Sequence, residues 1–353
     1  MLAEHLKQAA ALELVLEGGS AISTSPVELA RAAITCAERL LLWGEAAQVL
    51  RIVDRVESLR PGIPPFERIR IRVLQLKALS TLQRDHECLE LARLELGANK
   101  HVPASLEEDF AIVRVLEGQS LWHLNRVAES LDQLHQLRNE LLARPDGVAS
   151  AACSASIASA LVFSGSWLEG RRYALEAWVL ARRVGSKFYE GLAQQVLCMA
   201  ERALCHWDNS IEAGESSIKA YEEIDAKLQA AFVQRSIAVS QWKQGALQAS
   251  QATIDATLPL LIECKHAWHI RYARMLQGLI SLHLGRISEA AGALTEAPDA
   301  HEPISESRPE LLRLEYLGDV ELEQGNADAA LKRYDEVLPH ALALIPRGDV
   351  VAE

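Results

Sequence analysis

Aromatic residues make up only 5% of this 353-residue chain, with 19 glycines and 12 prolines. Sheets draw on aromatic and β-branched side chains, so the shortage weighs against a β-fold, while abundant Ala, Leu, Glu, Arg and Gln is helix vocabulary. Cysteine is sparse as well. Cys36, Cys88, Cys153, Cys198, Cys205 and Cys264 form no CxxC and fall in apolar helical stretches. That distribution excludes a disulfide framework and reads as reduced core thiols of a cytoplasmic protein. Basic excess is missing: a formal net charge of -12 denies the positive footprint that a phosphate backbone demands, so no direct nucleic-acid binding is expected. No apolar run approaches a membrane span, and the N-terminus MLAEHLKQAAALELVLEGG lacks a basic start and a small-residue cleavage site. Neither membrane insertion nor secretion is expected. There is no P-loop, GxGxxG, HExxH or GxSxG, and no spaced cysteine pair, so catalysis, cofactors and metal are not expected either.

What is present is a repeat, clearest in LEYLGDVELEQGNADAALKRY, Leu314 to Tyr334. Leu314 and Leu317 give one apolar stripe and Gly318 leaves room for a crossing helix. Gly325 and Asn326 break the helix, and Ala329, Ala330, Tyr334 and Leu338 form the facing stripe of a second. Equivalent breaks fall at Gly44 and near Arg84, Asn125, Gly165, Asp208, Gly245 and Gly285, in steps of 37 to 43 residues. Such a period, two helices each time, is the signature of a helical solenoid.

Two columns of residues support it. Seven positions before the break stand Ala37, Lys77, Gly118, Ala158, Glu201, Ala238, Gly278 and Gly318. Five positions after it stand Val49, Leu89, Ser130, Gly170, Ala213, Ser250, Ala290 and Ala330. Both columns are mostly small, as close helix crossing requires. Ser25-Pro26-Val27-Glu28, Ser105 to Glu108, Ser166 to Glu169 and Ser307 to Glu310 fit capping boxes at helix starts. The second unit opens with ERIRIRVLQL, which alternates like a strand. It is still read as helix, because a single strand among helices has no edge to pair with.

The residues Leu314, Leu317, Gly318, Gly325, Ala330 and Tyr334 occupy the places of the tetratricopeptide repeat pattern, which this chain resembles from about Ser25 to Ile345; Glu321 departs from it, standing where the family has an aromatic. The resemblance implies an all-α, right-handed superhelical solenoid of about eight antiparallel helix pairs. Its units are longer than the family's usual ones. In that respect, and in the LPHALALIPRGDVVAE tail, the chain is similar to the helical sensor regions of large bacterial transcriptional regulators. Three segments are expected: an N-terminal helix and loop over 1–24, with the helix over 2–17; the repeat array over 25–346; and, from Asp349 in 347–353, the start of a further helix. An apolar solenoid end with no polar cap implies a longer protein or a covering chain, and so a homo-oligomer through the uncovered ends.

The resemblance also implies that the first helix of each unit lines a concave groove. The residues two and three before each break then face a peptide or protein partner. They include Trp122, His123, Phe163, His206, Trp242, Lys243 and His283, with Gln119, Arg202 and Arg235 earlier on the same faces. Aromatics beside a few polar groups suit capture of a peptide or helix. The competing reading buries these residues between repeats. Cys198, Cys205 and His206, or His266 and His269, offer metal-ligand types, but core thiols and a surface or capping role for the histidines are the ordinary readings. Basic clusters at Arg68, Arg70, Arg72 and Lys77 and at Arg171, Arg172, Arg182 and Arg183 read as solvated helix faces. The polar segment His301 to Glu310 reads as an insertion or a contact loop. The function expected is a non-catalytic interaction or sensing module, the alternative a scaffold that spaces flanking domains.

Overall fold

A computed structural model describes residues 25–57, 62–99, 102–144, 147–264, 266–295 and 308–343. The expected helix over 2–17, most of the His301 to Glu310 segment, the Ser307 cap and the 347–353 tail lie outside the described residues. Among those described there are sixteen α-helices and no strand. They form eight helix–turn–helix pairs: α1 (Pro26–Leu42) with α2 (Ala46–Glu57), α3 (Pro65–Thr81) with α4 (Asp85–Ala98), α5 (Glu107–His123) with α6 (Val127–Leu141), and α7 (Val148–Phe163) with α8 (Trp167–Arg183). The series continues with α9 (Lys187–Ala203) and α10 (Trp207–Glu222), α11 (Lys227–Lys243) and α12 (Leu247–Glu263), α13 (Ala267–His283) and α14 (Ile287–Thr295), α15 (Arg308–Glu323) and α16 (Ala327–Ala343).

Within each pair the first helix ends on one residue in the left-handed region. These are Gly44, Gln83, Asn125, Gly165, Cys205, Gly245, Gly285 and Gly325. From Asn125 onward they fall every fortieth residue. The turn residue bonds back to the carbonyl three before it and the next residue to the one five before that, as in Gly245 N–H to Trp242 O and Ala246 N–H to Gln241 O, both 2.9 Å. This pair of hydrogen bonds satisfies carbonyls that the helix end leaves open. Two expected breaks are therefore corrected: Gln83 replaces Arg84 and Cys205 replaces Asp208. Neither is glycine, so composition gave no sign of the turn.

The correction removes both charged residues from the first column and Leu89 from the second. Seven before the turn now stand Leu76 and Cys198 in place of Lys77 and Glu201; five after it, Cys88 and Ser210 in place of Leu89 and Ala213. All are buried. Four of the later column do more than fit. Ser130 Oγ donates to Gly118 O at 2.6 Å, Ser210 Oγ to Cys198 O at 2.7 Å, Ser250 Oγ to Ala238 O at 2.6 Å, and Cys88 Sγ reaches Leu76 O at 3.5 Å. A buried hydroxyl needs such a partner, and here it pins one helix of the pair to the other.

Volumes compensate across the crossing. A Cβ on Gly118 would lie 2.7 Å from Leu134, one on Gly278 2.5 Å from Leu294, and one on Gly318 2.5 Å from Tyr334. Each large partner stands nine residues after its turn. Where the earlier site is Leu76, the matching residue is Ala92; where it is Cys198, it is Gly214. Large meets small, as close packing requires.

Two compact units are resolved. One holds the described residues of Met1–Leu161, Glu169–Val196 and Ala220–Lys227; the other holds those of Val162–Leu168, Leu197–Lys219 and Leu228–Glu353. In the first, α1 packs on α3 and α3 on α5. Helix α1 begins at the expected capping box, with Ser25 Oγ receiving Glu28 N–H at 3.3 Å and Glu28 receiving Ser25 N–H at 3.1 Å. Helix α3 is helical despite its alternating sequence, because Ile69, Ile71, Val73, Leu74 and Leu76 are buried on more than one face. The charges between them are satisfied internally: Glu67 by Arg31 at 2.8 Å, Arg72 by Glu57 at 3.3 Å and Glu95 at 3.2 Å. The expected cap at Ser105 does not form. A 3-10 turn over Ala104–Leu106 precedes α5 there, and Glu108 instead accepts Ala149 N–H at 2.7 Å, capping α7. In the second unit α13 packs on α15, with Leu311, Leu312, Tyr316, Leu317 and Val320 in its core.

Candidate functional site

The first helices of successive pairs carry the residues proposed for contact. In the first unit, Trp122 and Gln119 on α5 are half-buried. His123, the last residue of α5, is exposed in part and its Nδ1 lies 2.8 Å from the buried Asp85 carboxylate at the start of α4. That contact ties the end of α5 to the start of α4 in the preceding pair.

In the second unit, moving the turn to Cys205 changes which residue of α9 matches Trp122 and Trp242: it is Arg202. His206 leaves the helix and sits between α9 and α10, 2.8 Å from the buried Glu201 carboxylate. The expected place of His206 on the first helix is thus corrected to the turn that follows it. Phe163 is 46% exposed at the end of α7. On α11, Trp242 Nε1 donates to His283 Nδ1 of α13 at 2.8 Å, the rings lie 23° apart with centroids at 5.7 Å, and the Lys243 ammonium stands 4.1 Å from the indole centroid. The bond makes His283 Nδ1 an acceptor and places any neutral-ring proton on Nε2. Trp242 also packs against the apolar core around Leu279 and Leu317. Trp242 is thus half-buried, packed on that core with its indole N–H turned to His283.

Two turns before Trp242 on α11, and earlier still on α13, the two helices bring together a group that the sequence reading did not assemble. The Arg235 guanidinium lies 4.2 Å from the Tyr272 ring centroid and 5.5 Å from that of Trp268, and those two rings stack at 5.6 Å and 27°. Next to them His269 stacks on Phe232 at 3.4 Å and 22°, with His266 edge-on to Phe232 at 5.2 Å. Both rings are therefore packed against an aromatic ring; His266 stands at the expected N-cap position of α13 but makes no side-chain cap bond, and His269 lies within the helix. Burial pushes the Arg235 guanidinium down to about 10, with the nearby Arg202 charge acting the same way and Tyr272 opposing. Burial likewise holds the His269 imidazole well below its ordinary value, with the Arg235 charge and His266 adding to the effect. The sequence did carry a sign: His266, Trp268, His269 and Tyr272 fall within seven residues of an aromatic-poor chain.

The remaining candidates are placed elsewhere. Cys198 is buried, with Sγ 3.4 Å from Ser210 Oγ, while Cys205 is exposed in its turn. Of the basic clusters, Arg70 pairs with Glu38 at 2.7 Å, Arg172 with Glu169 at 3.3 Å, and Arg72 is buried rather than solvated.

No protein-family model and no curated protein matches this chain. Solved structures do. The Rap protein complexed with competence and sporulation factor aligns over 89% of this chain and 88% of its own, at TM-score 0.60 and 12% identity. A signal-transduction ATPase from Pyrococcus horikoshii with a tetratricopeptide repeat sensor aligns over 97% of this chain at TM-score 0.61 and 11% identity. The fold is that of a tetratricopeptide-like helical solenoid. The present chain spans 53% of that ATPase. NprR in complex with its cognate peptide NprX aligns over 79% of this chain and 80% of its own, at TM-score 0.58 and 14% identity. At these identities the likeness is one of fold.

Proposed function

We propose that this tetratricopeptide-like solenoid is a non-catalytic binding module, taking a peptide or an extended segment of a partner protein on the face formed by its first helices. The observation that carries the reading is the Trp242–His283–Lys243 group, in which a half-buried indole is held in place by a 2.8 Å hydrogen bond beside the exposed Lys243 and His283. A rigid aromatic with polar neighbours loses little entropy on contact and is the usual anchor of such surfaces. Similarity of fold to NprR, solved with its cognate peptide, and to Rap, solved with competence and sporulation factor, supports the same reading. Trp122 and Gln119 are the corresponding candidates of the first unit and Phe163 and Arg202 further candidates of the second, and the setting is a larger cytoplasmic bacterial signalling or transcriptional regulator. The test is affinity capture from the native lysate with the full chain as bait, beside a Trp122→Ala/Trp242→Ala variant checked for unchanged helicity. A partner lost with the variant supports the face; equal recovery by both moves the contact to the second helices. A bait that retains only itself favours the scaffold alternative.

A further inference from the structure

The outer face of α8 departs from those of the second helices on either side of it in the sequence. Seven, ten and fourteen residues past their turns, α6 carries Asp132, His135 and Asn139 and α10 carries Glu212, Glu215 and Lys219, the polar surface of a solvated helix. At the same places α8 carries Arg172, Leu175 and Val179. Leu168 before them is 71% exposed, Leu175 37% and Val179 42%, and Arg172 and Arg182 are exposed as well. The opposite face of α8 is buried through Gly170, Tyr173, Ala174, Ala177 and Ala181, so the helix is packed and the apolar stripe is turned outward. The arginines along the stripe are loosely held. Arg172 pairs with the exposed Glu169 at 3.3 Å, and Arg182 stands 5.2 Å from the Trp178 ring centroid with no ion pair among the described residues. Glu176, the other acid of this helix, is taken by Arg138 at 2.7 Å and Ser154 at 2.9 Å.

We infer that α8 is a docking surface for an acidic amphipathic helix of a partner protein, which packs leucine-type side chains on Leu168, Leu175 and Val179 and sets Asp or Glu against Arg172 and Arg182. The surface lies on a second helix and does not depend on the first-helix reading. Spacing selects a helix: Leu168, Arg172, Leu175, Val179 and Arg182 follow one another at steps of four, three, four and three residues, the seam along which two helices coil, and a polar residue within such a seam chooses the partner. Charge selects an acidic one, because guanidinium and carboxylate pair through two parallel hydrogen bonds. The chain's net charge of -12 opposes an acidic partner only at long range, and at physiological salt that opposition is screened beyond about 8 Å, so the local arginines decide. A lipid surface fits less well. Arg172 stands between Leu168 and Leu175 in the stripe itself, whereas a helix lying on a membrane keeps its cations on the opposite, polar face. A second copy of α8 fits less well again, since it brings two more arginines to the seam and no acid within it.

The test uses the full chain and a displayed library of single helices randomised along one face, with the unrandomised helix as background. Enriched helices are expected to carry leucine-type residues at four-three spacing with Asp or Glu among them. Resynthesised and labelled, they are titrated with the protein by fluorescence anisotropy. Leu175→Asp and the double variant Arg172→Glu/Arg182→Glu change exposed positions, and each is checked for parental helicity. Each should weaken binding at least about tenfold. Changing the acids of the peptide to Lys should restore affinity for Arg172→Glu/Arg182→Glu, a rescue that a merely damaged fold would not give. Trp122→Ala/Trp242→Ala should leave binding unchanged, which separates this surface from that of the first helices. No enrichment above background, or enriched helices that bind the α8 variants as well as the parent, overturns the proposal. So does sedimentation of the chain with phosphatidylglycerol vesicles that Arg172→Glu/Arg182→Glu abolishes, or a dimer of the chain alone that Leu175→Asp dissociates, since either gives the stripe another occupant.

Discussion

The hydrogen that Gly318 carries in place of a side chain faces the Tyr334 ring, whose Cε1 would lie 2.5 Å from a Cβ at that position. Tyr334 cannot swing aside freely, because its hydroxyl donates to Asp319 Oδ1 at 2.6 Å. Gly318→Ala therefore overpacks a fixed crossing and is expected to destabilise by about 1–3 kcal/mol. The double variant Gly318→Ala/Tyr334→Leu should cost less than the sum of the two single changes. Urea denaturation of all three decides it, and additive losses refute the contact.

Cys205 stands at φ 60 in an exposed turn where five of the eight equivalent residues are glycine. The left-handed conformation costs an L-residue roughly 1–2 kcal/mol, offset in part by the greater entropy that glycine gives the unfolded chain. Cys205→Gly is expected to raise stability by about 0.5–1 kcal/mol. A lower melting temperature for the variant contradicts the assigned turn.

Thiol reactivity should divide the cysteines by depth. Burial pushes the Cys88 thiol up to about 11 and that of Cys153 up to about 12, and Cys198 is also raised by burial. Only Cys205 among the six is exposed. Under native conditions an aromatic disulfide reagent should modify Cys205 first, with Cys88, Cys153 and Cys198 reacting only on unfolding. Mass mapping of the labelled peptides reads this directly.

Stability should fall in mild acid through His269. Its imidazole is held well below 6.5 in the folded protein, chiefly by burial and then by the Arg235 charge and His266. The unfolded chain then binds the proton first, so the contribution of neutral His269 is fully present above the unfolded value. It is lost progressively as pH falls through about 6.5 toward the folded value. Melting temperatures from pH 8 to pH 5 should drop more steeply for the parent than for His269→Asn. Parallel curves reject the assignment.

The order of helices was legible because it depends on local facts: a helix-forming composition, a left-handed residue every forty positions, and Ala or Gly where helices cross. Gly44, Gly245, Gly285 and Gly325 announced their turns because only glycine enters that region without penalty. Gln83 and Cys205 did not announce theirs, since tolerance of strain is a property of the surrounding contacts. Ser210 illustrates the same limit. Its role as donor to Cys198 O became visible only once the turn was fixed at Cys205.

Pairing, period and most of the small-residue columns were determined by the sequence itself, because a repeat imposes the same local solution again and again. The tertiary structure alone decided which polar side chains are satisfied. Arg235 and Arg31 are both arginines on first helices; Arg31 meets Glu67 and Arg235 meets Tyr272 and Trp268. That difference arises between pairs, from residues some forty positions apart, where no local pattern records it and only the packing of one helix against the next sets the distance.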